Sequence, residues 1–222
     1  MASYFIYDSI NQYRSDNTIS EGQMTDSGTP TFSATSTITD HERASDQNIG
    51  TIISAVADRD AIEYAVGSSV TADAAAVYFT GDDSVSSGTI ITFFIDTDRA
   101  SLPSKGSISA VSGAGWAVAD LTETTGNKFF TEFNGAVTNV SEILIGKKLS
   151  FEVEPDVNVQ SSINYQNEVQ RSLGGVEYAL NVNTGQEVHT ISFQNISSTF
   201  KTNLTTMQDA LKGEAKKFVW YD

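Results

Sequence analysis

Residues 88–95 read Gly-Thr-Ile-Ile-Thr-Phe-Phe-Ile, a continuous run of β-branched and aromatic side chains closed by Asp96-Thr97-Asp98. Such side chains fit a pleated, half-buried surface, and a run this short with turn residues at its end predicts a buried strand. Working outward, the same signature recurs. On the N-terminal side, residues 61–67 (Ala-Ile-Glu-Tyr-Ala-Val-Gly) alternate weakly, and residues 76–80 (Ala-Val-Tyr-Phe-Thr) stop at Gly81-Asp82-Asp83. On the C-terminal side follow residues 107–111 (Ser-Ile-Ser-Ala-Val), 116–121 (Trp-Ala-Val-Ala-Asp-Leu), 128–133 (Lys-Phe-Phe-Thr-Glu-Phe) and 141–146 (Ser-Glu-Ile-Leu-Ile-Gly). Roughly six or seven short strands at near-regular spacing, separated by Gly, Ser and Asp, predict an all-β, antiparallel, jelly-roll-like β-sandwich, not alternating βα units.

The composition agrees with that class and removes several functions. Charged residues make up 18% of the 222 residues, their place taken by Ser, Thr, Asn and Gly. Thirteen Lys and Arg against 28 Asp and Glu leave a net charge of -15. The resulting field repels phosphate backbones and anionic lipid, so neither nucleic acid nor membrane is an expected partner. The chain has no cysteine, hence no disulfide framework and no thiolate chemistry. The N-terminal residues carry no basic and then apolar leader pattern, and no apolar run approaches the ~20 residues of a membrane span. Asn139, Asn195 and Asn203 match the glycosylation triplet, read as chance matches.

Three segments are expected: an N-terminal arm with the leading strands over 1–55, the sandwich over 56–148, and a C-terminal β module over 149–222. Aromatic residues crowd both chain ends, Tyr4, Phe5, Tyr7 and Tyr13 at one and Phe218, Trp220 and Tyr221 at the other. Exposed aromatics are typical of interfaces, which makes these seven the candidate subunit contacts. On this reading, a chain lacking residues 1–13 keeps its fold and loses assembly. In the C-terminal segment, Asn183-Thr184-Gly185-Gln186 predicts a hairpin turn between residues 176–182 and 187–193. One amphipathic helix is expected over about 198–212: Ser197 or Ser198 caps it, Phe200, Leu204, Met207 and Leu211 share one face, and Gly213 stops it.

No enzyme constellation emerges. The two histidines, His41 and His189, lie in a polar loop and in an alternating strand, with no nucleophile beside either. The carboxylate pairs Asp82-Asp83 and Asp96/Asp98 sit where strands end and read as solvated turns, not as a calcium loop, because the spacing of an EF-hand is missing. Gly174-Gly175 reads as a tight entry into a strand, since no helix follows to cradle a phosphate. No cofactor or metal is therefore expected. Trp116, opening an alternating run after Gly113-Ala114-Gly115, and Tyr78 are the two residues that offer a stacking platform for a sugar; packing in the sandwich core is the competing role for Trp116.

Two resemblances add to this. Residues 57–67, 76–80, 128–133 and 140–146 together resemble the discoidin, or galactose-binding-like, jelly roll, which implies a sandwich and, in its sugar-binding members, a glycan ligand. The segment from Arg171-Ser172-Leu173-Gly174-Gly175 through the strand at 188–193 and the helix to Phe218-Val219-Trp220-Tyr221-Asp222 resembles the terminal part of bacteriophage tail and baseplate proteins. That resemblance implies a virion structural protein, assembled in host cytoplasm with copies of itself and other virion proteins. A carbohydrate-binding attachment module and a capsid-decorating protein are the alternatives.

Overall fold

The computed structural model describes residues 4–7, 18–24, 32–33, 36–45, 50–55, 59–80, 90–97, 102–109, 114–153, 160–164, 167–171, 177–181, 186–190, 193–211 and 219–221. Two strands carry the architecture: β5 (Asp60–Thr80) and β8 (Ala114–Asn134), each 21 residues long and paired antiparallel from end to end. The sequence shows each of them as two short runs. The residues between the runs are mostly small or polar, with Gly67 to Ser69 exposed, so they carry little apolar signal although each strand continues through them. Register shifts between Ala65 and Val70 and between Ala72 and Ala74 bend the pair there.

The bend lets one strand pair serve two layers. Around its first half gather β2 (Thr18–Met24), which pairs with residues 60–65, and β3 (Phe32–Ser33) beyond it. On the other side, β6 (Ile90–Asp96) pairs with residues 128–134 of β8, and β7 (Ser104–Ser109) follows. Around the second half, β9 (Val137–Ser150) pairs with residues 74–79 of β5 and in turn with β1 (Tyr4–Tyr7), which carries β14 (Val219–Tyr221) at its far side. The short β4 (Ile53–Ala55) joins the start of β9. Between β8 and β9 the chain reverses through Gly135, whose φ of 112° a side chain would oppose.

Period-two alternation then decides what is inside. Ile62, Tyr64, Ile91, Phe93, Phe129 and Phe133 from the first layer meet Ala75, Val77, Phe79, Ile143 and Ile145 from the second in one buried cluster. The protein is thus an all-β antiparallel sandwich with one helix, as the spacing of the runs indicates. Each layer also carries a smaller apolar cluster on its outer face: Met24, Ala61, Phe94, Leu102 and Phe130 on the first, Ile6, Ala74, Ala76, Leu144 and Val219 on the second.

The described residues form two compact units, one made of the strands up to Ser150 with the residues from Thr202 onward, the other of Phe151–Lys201. In the second unit, β10 (Gln160–Asn164) pairs with β13 (Gln186–Thr190), and β11 (Asn167–Arg171) pairs with β12 (Glu177–Asn181). The expected hairpin across 183–186 is therefore replaced by a nested arrangement. Its inner pair runs in register from Asn167 opposite Asn181 to Arg171 opposite Glu177. Helix α1 spans Ser198–Leu211. Ser197 caps it, accepting a hydrogen bond from the Phe200 N–H at 3.0 Å, while the Glu152 carboxylate accepts from the Ser197 N–H and hydroxyl. Phe151, Phe193 and Phe200 pack edge to face beside the cap, with centroids 5.0–6.4 Å apart.

The N-terminal segment departs most from expectation. Residues 4–7 are a strand of the sheet, held between β9 and β14, with Phe5, Ile6 and Tyr7 buried. Aromatic density there reflects an inserted strand and not a projecting arm. A chain lacking residues 1–13 loses three buried side chains of ~1.5–3 kcal/mol each and the bridge to β14, so we expect it to melt more than 10 °C lower or fail to fold; an unchanged melting curve by circular dichroism contradicts this placement. A second expectation concerns Gly126. A Cβ there stands 2.7 Å from the Asp96 carbonyl oxygen and 2.9 Å from Ile95 Cγ2. Gly126→Ala should cost ~1–3 kcal/mol and lower the melting temperature by roughly 3–10 °C, with no change sinking the claim of a closed approach between β6 and β8.

Candidate functional site

On the outer face of the second layer, the first half of β8 turns Ala117, Ala119 and Leu121 into the core and Trp116, Val118 and Asp120 outward. Trp116 and Val118 are half-buried, and the Asp120 side chain is 69% exposed. Among the described strands, residues 114–120 are paired on one side only, by β5, because β6 pairs β8 at 128–134. Among the described strands the stripe therefore has one side without a paired strand, with Gly106 of β7 close against the Asp120 carbonyl at its far end. Four residues at ~3.4 Å rise set Asp120 ~13–14 Å from Trp116.

At one end of the stripe stands an aromatic pair. Tyr78 lies directly across the β5–β8 ladder from Trp116, their ring centroids 5.2 Å apart and their planes at 68°. In such an edge-to-face contact one ring covers a face of the other, and Trp116 also packs against the cluster of Ile6, Ala74, Ala76, Leu144 and Val219 while remaining partly accessible. Beneath it, Ala74, Ala76 and Leu144 are buried. Glu142, on β9, sits across from Tyr78 and is itself buried.

At the other end lies a charged group. Lys148 Nζ is 2.6 Å from Asp120 Oδ1 and 5.5 Å from the centroid of the Tyr4 ring, a cation–π distance. The backbone N–H of Lys148 donates to Asp73 Oδ1 at 2.6 Å. Burial pushes the Asp73 carboxyl above its ordinary pKa, with the nearby Glu123 charge acting in the same direction, against the Lys148 hydrogen bond and charge. An aromatic face for the C–H side of a sugar ring, then a carboxylate and an ammonium to bond hydroxyls, is the chemistry this stripe supplies.

The other candidates are dispersed. Phe5 and Tyr7 are buried inside the sheet, Tyr4 is half-buried beside Lys148, and Trp220 and Tyr221 pair by backbone with Phe5 and Tyr4. Tyr13, Phe218, Asp82-Asp83, Asp98 and Gly174-Gly175 lie outside the described residues. His41 contacts Glu21, Nδ1 to Oε2 at 3.3 Å, and His189 on β13 pairs by backbone with Ser161 on β10. Asp96 accepts hydrogen bonds from the N–H and hydroxyl of Thr97, closing its own turn. Asn139 is 2% exposed, which leaves no room for a glycan on its side chain. Among the described residues no group of three or more His, Asp or Glu converges as metal ligands.

The Asp120–Lys148 pair escapes sequence reading because Lys148 reaches β8 only through the order β8, β5, β9. Period two along 116, 118 and 120 was the one signal available. No protein-family model matches the sequence, and no curated protein matches it. Among solved structures, the chain is similar to a CBM32 module from Clostridium perfringens in complex with GalNAc-beta-1,3-galactose (11% identity, 62% of this chain and 99% of that one, TM-score 0.44). It is similar to the C-terminal domain of a chitobiase from Bacteroides fragilis (15%, 63% and 98%, TM-score 0.47) and to the lectin domain of lectinolysin complexed with Lewis B antigen (13%, 62% and 96%, TM-score 0.44). With TM-scores below 0.5, the assignment of this chain's fold stays with the strand pairing above.

Asp73 yields a signed pH expectation. A carboxyl whose folded-state pKa is raised adds stability below its ordinary pKa and loses it as pH rises through the raised value. Asp73→Asn keeps the acceptor for the Lys148 N–H and removes the titration, so the variant should gain stability relative to the parent at pH 7 and lose that advantage near pH 3. Urea midpoints at both pH values read this; an equal difference at each contradicts a buried, destabilised carboxylate.

Proposed function

We propose that this protein is a non-catalytic glycan-binding module whose site is the stripe on β8. The observation that carries the reading is the Trp116–Tyr78 pair: two half-buried aromatics in edge-to-face contact on a sheet edge, with an exposed carboxylate on the same face. A core tryptophan has no need to remain half-exposed, whereas a stacking platform does. Carbohydrate-ligand names among the solved structures accord with the reading without carrying it. The virion-component reading drew on the resemblance of the C-terminal segment to tail and baseplate proteins, and of the aromatic residues offered with it as subunit contacts, Phe5 and Tyr7 are buried within this chain's own sheet. Attachment to a glycan surface is the role we assign.

Trp116→Ala should weaken binding at least ~10-fold, or ~1.4 kcal/mol, on a glycan array followed by titration calorimetry with the strongest hit. An unchanged signal removes Trp116 from the site, and an array with no signal for the parent protein removes the function.

A further inference from the structure

We propose that the stripe takes a neutral, linear oligosaccharide laid along β8, not a single terminal sugar. This rests on the glycan reading of Trp116 and Tyr78 and specifies its ligand. Three observations carry it. First, Trp116, Val118 and Asp120 point the same way at alternate positions, the first two partly accessible above the outer apolar cluster and Asp120 exposed. Second, the two chemically distinct ends stand ~13–14 Å apart, farther than one hexose ring reaches, so a ligand that uses the aromatic pair and Asp120 together has to be a chain. Third, the charge at the far end is already balanced, since Lys148 Nζ lies 2.6 Å from Asp120 Oδ1.

The third point sets the charge of the ligand. A sugar acid arriving at this end finds the ammonium taken by an exposed carboxylate and meets the field of a chain with net charge -15. Hydroxyls of a neutral sugar meet no such penalty: they donate to the carboxylate of Asp120, which retains acceptor capacity beyond its bond to Lys148.

The test is an array carrying neutral gluco-, galacto- and N-acetylglucosamine-oligosaccharides of one to six residues, with sialylated and uronate-bearing counterparts, probed with the full chain, Trp116→Ala and Asp120→Asn. For the parent we expect signal to rise at least tenfold from the monosaccharide to the trisaccharide of the preferred series and to fall at least tenfold for acidic counterparts at low salt. Asp120→Asn, at an exposed position, should flatten the dependence on chain length. Equal affinity for monosaccharide and oligosaccharide, an unaltered length dependence in Asp120→Asn, or a preference for acidic chains overturns the proposal while glycan binding stands. No binding to any glycan, or binding indifferent to Trp116→Ala, overturns the glycan reading and this inference with it.

Discussion

Every other strand of the sandwich is placed by the ladder between β5 and β8. Because these two strands pair on both sides of their bend, the first layer and the second are covalently continuous, and their inner faces are registered by one ladder. Ile62 and Tyr64 at one end and Val77 and Phe79 at the other enter the same core only because the bend turns one strand back over itself. The ladder itself joins segments distant in sequence, from Thr80 opposite Ala114 to Asp60 opposite Phe133, so its formation carries a large share of the loop-closure cost of the fold.

A polar corner holds the first layer to this ladder. Arg59, at a φ of 67°, donates its backbone N–H to the Phe133 carbonyl and accepts at its own carbonyl from the Met24 N–H. Its side-chain Nε reaches the Met24 carbonyl at 3.2 Å and the buried Glu132 carboxylate at 3.0 Å. Asp60, fully buried next to it, accepts from the N–H and hydroxyl of Thr37. Charges taken out of water are costly unless bonded in this way, and the strained backbone of Arg59 is retained because its neighbours over-determine it. A residue with this many fixed contacts at the entry of β5 fixes where the shared strand begins.

The all-β class, the antiparallel pairing and the single helix with its serine cap were legible in local pattern, because runs such as residues 90–95 and the spacing of Phe200, Met207 and Leu211 state their environment directly. Strand continuity was not. Residues 67–73 of β5 are mostly small or polar, and the strand continues through them although only Val70 to Ala72 find partners in β8. Tyr4 to Tyr7 misled for the opposite reason: their composition is that of an interface, and the partner surface turned out to be β9 and β14 of the same chain. Of the site, Trp116 and Tyr78 were visible as residue types, while their contact, and the approach of Lys148 to Asp120, depend on sheet order that no window of sequence contains.

The exposed position of the stripe follows from the shared strand. β6 and β7 remain with the first layer when β8 crosses to the second, so residues 114–120 become an edge among the described strands. Edges invite pairing with other chains, and charged side chains commonly guard them. Asp120 and Lys148 fit that duty, and a guard explains both without a ligand. It does not explain Trp116. An edge defended only against aggregation gains nothing from a half-exposed indole beside a tyrosine, which adds the apolar surface that the charges are there to offset. On the proposed glycan reading, the coexistence of both on one face distinguishes this edge from a merely protected one.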